Sequence, residues 1–380
     1  MEGWRLGYRP ALDGLRGIAI ALVVLNHALV PGFDGAGAAG VTAFFVLSGF
    51  LITALLLEEQ DSGRIGLLAF YRRRALRLLP ALVVVLAAAS LWYLVTARPG
   101  AIAAHVLPPL FYVANFARAA GNTLYHLGHT WSLSVEEQFY LVWPLLLIVI
   151  PRRWVVPVLI ASIPTSIGLR LLADPEMAIY GPHTNAYALL GGCLIAFLLR
   201  RGFRFPGAWM IGGFVILTAA FVAPQLGLLD PRLRSPVAAI GAVLIVASVA
   251  SQEPTSRGPL TIRPLVALGA ISYGLYLWHY FLISAGGFIG ISALITAALS
   301  IPLAIASHRY VERPFIRMKR SHSPMVGPAD PPKQRGHGEP LATQKPVDTR
   351  LQDFSHASGA PSTPGDHMMD PELRPRRASP

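Results

Sequence analysis

Arg16 and His27 are the residues of this 380-residue chain whose types and spacing point most directly to chemistry. They stand in RPALDGLRGIAIALVVLNH, residues 9–27. On an α-helix, eleven steps of about 100° return to the same face, and at about 1.5 Å per residue the two side chains lie roughly 16 Å apart along it. The run after Arg16 is apolar, so Arg16 reads as a membrane-surface group and His27 as an imidazole at hydrocarbon depth. An ionisable group at that depth is costly unless it faces a polar interior. Such a histidine is either a proton-transfer group or one satisfied by a neighbouring helix, and the residues alone leave both open. Asp13, one turn before Arg16, either orients it or forms an ordinary surface pair with it.

Two further clusters carry charge into apolar surroundings. In YRRRALRLLP, residues 71–80, Arg74 and Arg77 are i,i+3 neighbours and Arg73 and Arg77 are i,i+4 neighbours. Guanidiniums in that geometry can grip a polyphosphate bidentately. The competing reading is a positive-inside anchor that also touches anionic lipid. In HTWSLSVEEQFYLVWP, residues 129–144, Glu136, Glu137 and Gln138 enter an apolar run together. A serine cap with a following acid explains one carboxylate and leaves the other. The two glutamates point about 100° apart, so one of them is expected to line an internal cavity. In ISYGLYLWHYF, residues 271–281, His279 reads as an interfacial histidine beside Trp278, with a catalytic role as the other reading. Ser48 and Gly49, within FFVLSGFLIT, read as small residues that permit close helix packing.

The elements that position these groups follow from composition. The chain is 53% hydrophobic and 14% charged, with a mean hydropathy of +0.51, which is a polytopic membrane profile rather than a soluble one. Ten apolar runs, at about 15–31, 41–57, 78–96, 131–150, 155–172, 185–199, 209–224, 236–250, 264–284 and 288–306, predict an all-α bundle of ten transmembrane helices. The formal charge of +12 is spread in short clusters between those runs. That is a topology signal and not a nucleic-acid surface. With the N-terminus cytoplasmic, twenty of the 32 Lys and Arg fall on inside segments, five outside and seven in the tail, so both termini are expected inside a multi-pass cell-membrane protein. Trp92, Trp131, Trp154 and Trp209 fall at predicted helix ends as interfacial anchors. Residues 97–130, broken by Pro108 and Pro109, predict a surface or re-entrant helix. Residues 1–320 then form the membrane domain, and 321–380, polar and rich in Pro, Ser and Gly, read as a disordered cytoplasmic tail. The lone Cys193 reads as a packing residue, and no metal-ligand spacing or nucleotide loop is present in the sequence.

Taken together, RPALDGLRGIAIALVVLNH, FFVLSGFLIT, RRRALRLLP, HTWSLSVEEQFYLVWP, SYGLYLWH and VERPF resemble the acyltransferase-3 family of membrane O-acyltransferases, in order over about residues 9–316. The resemblance implies transfer of an acyl group, usually acetyl, from cytoplasmic acyl-CoA to a hydroxyl of a glycan, a glycolipid or a small natural product. Acyl-CoA is then a co-substrate, with no permanently bound cofactor and no metal. It implies catalytic roles for Arg16 and His27, contact of the CoA phosphates by Arg74 and Arg77, and a place in the acidic motif for Glu136; the residues themselves add Arg73 to the phosphate-binding candidates and Glu137 to the catalytic ones. Two departures stand out. Many members carry an Arg-x-Asp before AYALLGGCLIA, where this chain has His183, Thr184, Asn185, Ala186 and Tyr187. Some relatives append an extracytoplasmic hydrolase-like domain, for which the tail is too short. Transfer is therefore expected to be completed by this chain or by a separate extracytoplasmic partner. The rival reading, a sugar or lipid transporter, predicts paired interrupted helices in the two halves, which the sequence does not display.

Overall fold

The computed structural model describes residues 4–63 and 65–320; the expected tail lies outside the described residues. The described chain is helical and without strands. Helices α1 (Pro10–His27), α2 (Ala36–Asp61) and α3 (Leu67–Val95) lead into three short pieces, α4 (Ala101–His105), α5 (Leu107–Leu110) and α6 (Ala114–Ala119). Then follow α7 (Thr130–Val149), α8 (Arg152–Leu172), α9 (Pro175–Tyr180), α10 (Pro182–Arg200), α11 (Ala208–Gln225) and α12 (Arg234–Ser251). The last are α13 (Arg263–Ala270), α14 (Ser272–Phe288), α15 (Ala293–Ser307) and α16 (Arg313–Arg320), with a π-turn, His308–Glu312, between α15 and α16.

Each of the ten apolar runs lies in a helix or helix pair, but ten straight spans is not what they form. Among the described residues, eight helices are long and apolar enough to cross a membrane, or nine if α13 and α14 count as one span. The two differences have physical causes. Helix α1 has the length, 18 residues, but Asp13, Arg16, Asn26 and His27 make it too polar to face lipid. It is sheltered instead, with Leu15, Ala19, Ile20 and Val23 buried. The expected 264–284 span is broken by a 71° bend between α13 and α14. There α13 lies backbone to backbone on α1. A Cβ on Gly17 would overlap the Leu265 carbonyl oxygen, and one on Gly269 would overlap that of Asp13. Past Gly269 the chain leaves this contact and turns.

Helix α2 runs through the centre of the bundle. Gly49 faces the Leu189 carbonyl of α10, and Gly192 faces the Val46 carbonyl of α2, so neither glycine has room for a side chain. The small-residue reading of Gly49 therefore holds, and Cys193 packs beside it, its Sγ donating to the Gly49 carbonyl at 3.5 Å. Outward faces of α3, α7, α8, α11 and α15 expose Leu91, Val149, Leu172, Val215 and Leu299 among others. Such a belt suits a lipid surround. Trp154 and Trp209 are exposed at the starts of α8 and α11, as anchors should be. Trp92 and Trp131 instead turn inward, Trp92 Nε1 donating to His126 Nε2 at 3.1 Å and Trp131 packing edge-on against Phe45 and Tyr180.

Residues 97–130 fold as α4, α5, α6 and a short 3₁₀ turn, Tyr125–Leu127, none long enough to cross a membrane. Gln138 of α7 ties this segment down, donating to the Tyr112 carbonyl at 2.8 Å and exchanging amide hydrogen bonds with Asn115. Tyr112 holds φ +53°, a strained conformation for a side-chain-bearing residue that this bond helps to maintain. The third member of the polar run in α7 thus has a structural task.

Candidate active site

A cavity of about 230 Å³ lies between α1, α2, α3, α7 and α14. Ser132, Glu136 and Tyr140 present one stripe of α7 to it at i, i+4 and i+8. Arg16 reaches it from α1, Arg74 and Arg77 from α3, Ser48 from α2, and Ser272, Tyr273 and Tyr276 from α14. The aliphatic wall comes from Leu47, Leu51 and Leu78.

The charges are arranged unequally. Arg74 lies over the Tyr140 ring, its guanidinium carbon 3.3 Å from the centroid, and its Nη2 is 3.2 Å from Glu137 Oε1. Glu137 therefore serves Arg74 and does not line the cavity, whereas Glu136 does line it and accepts from Ser48 Oγ at 3.0 Å. Arg16 is 3.9 Å from Asp13, a loose pair. Arg77 has no ion-pair or hydrogen-bond partner among the described residues. Arg73 is turned away from the cavity and pairs with Glu59 of α2. The Ser272 hydroxyl is buried on the wall without a partner. Three arginines thus reach the chamber against one lining carboxylate, Glu136, with Asp13 and Glu137 set behind their arginines, and such guanidiniums can receive phosphate or carboxylate.

His27 is not among the residues lining this chamber. Its Nδ1 lies 3.1 Å from His279 Nε2, and its ring meets Tyr280 edge-on at 5.0 Å. His279 is fully buried, not interfacial as the sequence suggested. His129, from the residue before α7, joins them with ring centroids 5.5 Å from His279 and 5.0 Å from Tyr280. Tyr276 belongs to both regions. It lines the chamber, donates to the His129 carbonyl at 2.7 Å, meets Ser132 Oγ at 2.5 Å, and has its ring 5.7 Å from His279. Of the expected site residues, the fold gathers Arg16, Arg74, Arg77 and Glu136 around one space, sets Glu137 behind Arg74, and sends Arg73 elsewhere. It puts His27 in a second cluster, linked to the chamber through His279 and Tyr276.

Sequence reasoning passed over Tyr276, His129 and the depth of His279. Their signal was present: Ser272, Tyr273, Tyr276, His279 and Tyr280 form a polar stripe at helical spacing on an otherwise apolar α14. At the position of the departed Arg-x-Asp pattern, Asn185 is buried and accepts from Arg170 of α8 at 3.3 Å, so a cation reaches this place from another helix.

Residues 9–307 match the acyltransferase-3 family model, described as an acyltransferase domain, and the chain belongs to that family. It is a multi-pass helical membrane protein that carries this family's domain. It is 32% identical over 357 residues to the peptidoglycan O-acetyltransferase OatA of Listeria monocytogenes, covering 81% of this chain and 56% of that protein. It is 31% identical over 349 residues to the O-acetyltransferase OatA of Staphylococcus aureus, covering 81% of this chain and 57% of that one. The chain thus spans a little over half the length of the curated relatives it matches. No solved structure matches it.

Proposed function

We propose that this protein is an O-acetyltransferase that takes acetyl from acetyl-CoA and passes it to a hydroxyl of an envelope glycan. The observation that carries the reading is Arg77, a cation without an acidic partner among the described residues, beside Arg16 and Arg74 in one chamber. The CoA phosphates are the polyanion these three would hold, with the arginine end of the bundle cytoplasmic, as the distribution of Lys and Arg supports. Glu136 and the unpartnered Ser272 hydroxyl offer an acceptor and a donor to the neutral part of the donor molecule. His27 acts as general base: the acceptor O–H bond breaks with its proton going to the imidazole, and the oxygen forms a bond to the thioester carbon. The C–S bond then breaks, and the leaving thiolate takes that proton as free CoA. The names of the relatives support a glycan as the acceptor class, with a glycolipid or a secreted metabolite as the other hydroxyl-bearing candidates. Final delivery falls either to this chain or to a separate extracytoplasmic transferase.

The test is to incubate membranes containing the protein with radiolabelled acetyl-CoA and glycan fragments. Acceptor-dependent release of CoA with label on the glycan is expected. Uptake of acceptor with no CoA released would overturn the reading in favour of transport.

A further inference from the structure

We infer that His279 is a positioning residue that fixes the tautomer of His27, leaving the Nε2 lone pair of His27 free to accept a proton; its catalytic meaning rests on the acetyl-transfer reading above. The assignment follows from three contacts. His279 Nδ1 lies 3.1 Å from the Leu275 carbonyl, one turn earlier on α14. A carbonyl only accepts, so this nitrogen carries the hydrogen. A neutral imidazole protonated at Nδ1 has its lone pair at Nε2, and His279 Nε2 lies 3.1 Å from His27 Nδ1. His27 Nδ1 must therefore donate, and the remaining lone pair of its ring resides on Nε2.

The surroundings keep this direction. Among the described residues no carboxylate pairs with either ring, so no acid holds an imidazolium with hydrogens on both nitrogens, which would reverse the bond. Both ring nitrogens of buried His129 lack partners, so His129 packs on His279 without competing for its Nε2. Tyr280 stands edge-on to the His27 ring at 83° and hinders its rotation. The backbone carbonyl, His279 and His27 thus form a relay of orientation in which a fixed acceptor at the far end selects the reactive nitrogen at the near end.

Nitrogen NMR of the full chain in lipid bilayers, with ¹⁵N-labelled imidazoles, reads the tautomer without relying on activity. The His27 signals are those missing from His27→Gln. We expect His27 to carry its hydrogen on Nδ1 in the wild type and in His279→Gln, whose amide oxygen can accept where Nε2 did. In His279→Leu the hydrogen should move to Nε2 or exchange between both nitrogens. A wild-type His27 protonated on Nε2, or a tautomer unchanged by His279→Leu, overturns the inference. In turnover with acetyl-CoA, His279→Leu should lower kcat about 10²-fold with KM for acetyl-CoA unchanged, and His279→Gln should recover most of the loss. Equal losses in both variants, accompanied by lowered thermal stability, would mark a packing role only and also overturn it. An inactive wild type with His27 protonated on Nδ1 would sink the acetyl-transfer reading while upholding the tautomer.

Discussion

The two halves of the site are built on opposite electrostatic plans. The chamber around Arg16, Arg74 and Arg77 is made of formal charges held by ion pairs and a cation–π contact, with one arginine left unpaired. The cluster around His27 contains no carboxylate contact among the described residues. It is made of imidazoles and phenols packed ring against ring. On the proposed reading, the charge-rich chamber is suited to an anion, whereas the uncharged, crowded cluster is suited to moving one proton at one nitrogen. Placing the two functions in separate environments avoids surrounding the base with cations that would suppress its basicity.

Substitutions in the two regions should therefore part in their kinetics. The largest effect is expected from His27→Ala, which should lower kcat about 10³-fold and leave KM for acetyl-CoA little changed in steady-state assays. An equal effect on KM would break the division. Next, Arg77→Ala should raise that KM about 10- to 100-fold, the value of a charge-assisted contact of about 1.5–3 kcal/mol, while kcat stays near wild type. Arg74→Ala should do the same and also destabilise the fold by about 2–3 kcal/mol, because Glu137 is left partly buried and unpaired. Thermal unfolding in detergent would show this, and adding Glu137→Gln should restore part of the loss. Tyr276→Phe removes bonds to Ser132 and the His129 carbonyl, worth about 1–2 kcal/mol together. As the shared wall, it should change kcat and KM together.

The smallest expected effect lies outside the spans. Burial, and to a lesser degree nearby His105 and Arg98, holds His126 below the ordinary imidazole pKa. Below about pH 6.5 the unfolded segment binds a proton that the folded one resists. The stability of residues 97–130 should be steady above that pH and decline as pH falls through it, read as faster hydrogen exchange there.

How much of this was legible beforehand depended on the cost of charge. Arg16, Arg74, Arg77 and Glu136 stood out because ionised groups in apolar runs need a polar interior, and the fold supplies one. The apolar runs located the helices for the same reason. Arg73 could not be separated from Arg77 by spacing on α3, since its fate was set by Glu59 on another helix. The depth of His279 was misjudged because it was reckoned along a straight 264–284 helix. The glycine contacts that bend the chain after Gly269 are a tertiary effect without a local signature. Likewise, nothing in the α1 sequence alone says that Tyr276 of α14, which lines the arginine chamber, also packs on His279, the partner of His27.

One consequence of α1 concerns donor choice. An α-helix is inextensible, and Arg16 and His27 are fixed on it roughly 16 Å apart, while its glycine seam packs it closely on α13. On the proposed reading this helix is a caliper. It admits a donor whose anionic group and thioester are separated by a long flexible arm, and it leaves a compact acyl phosphate gripped at one jaw, out of reach of the other.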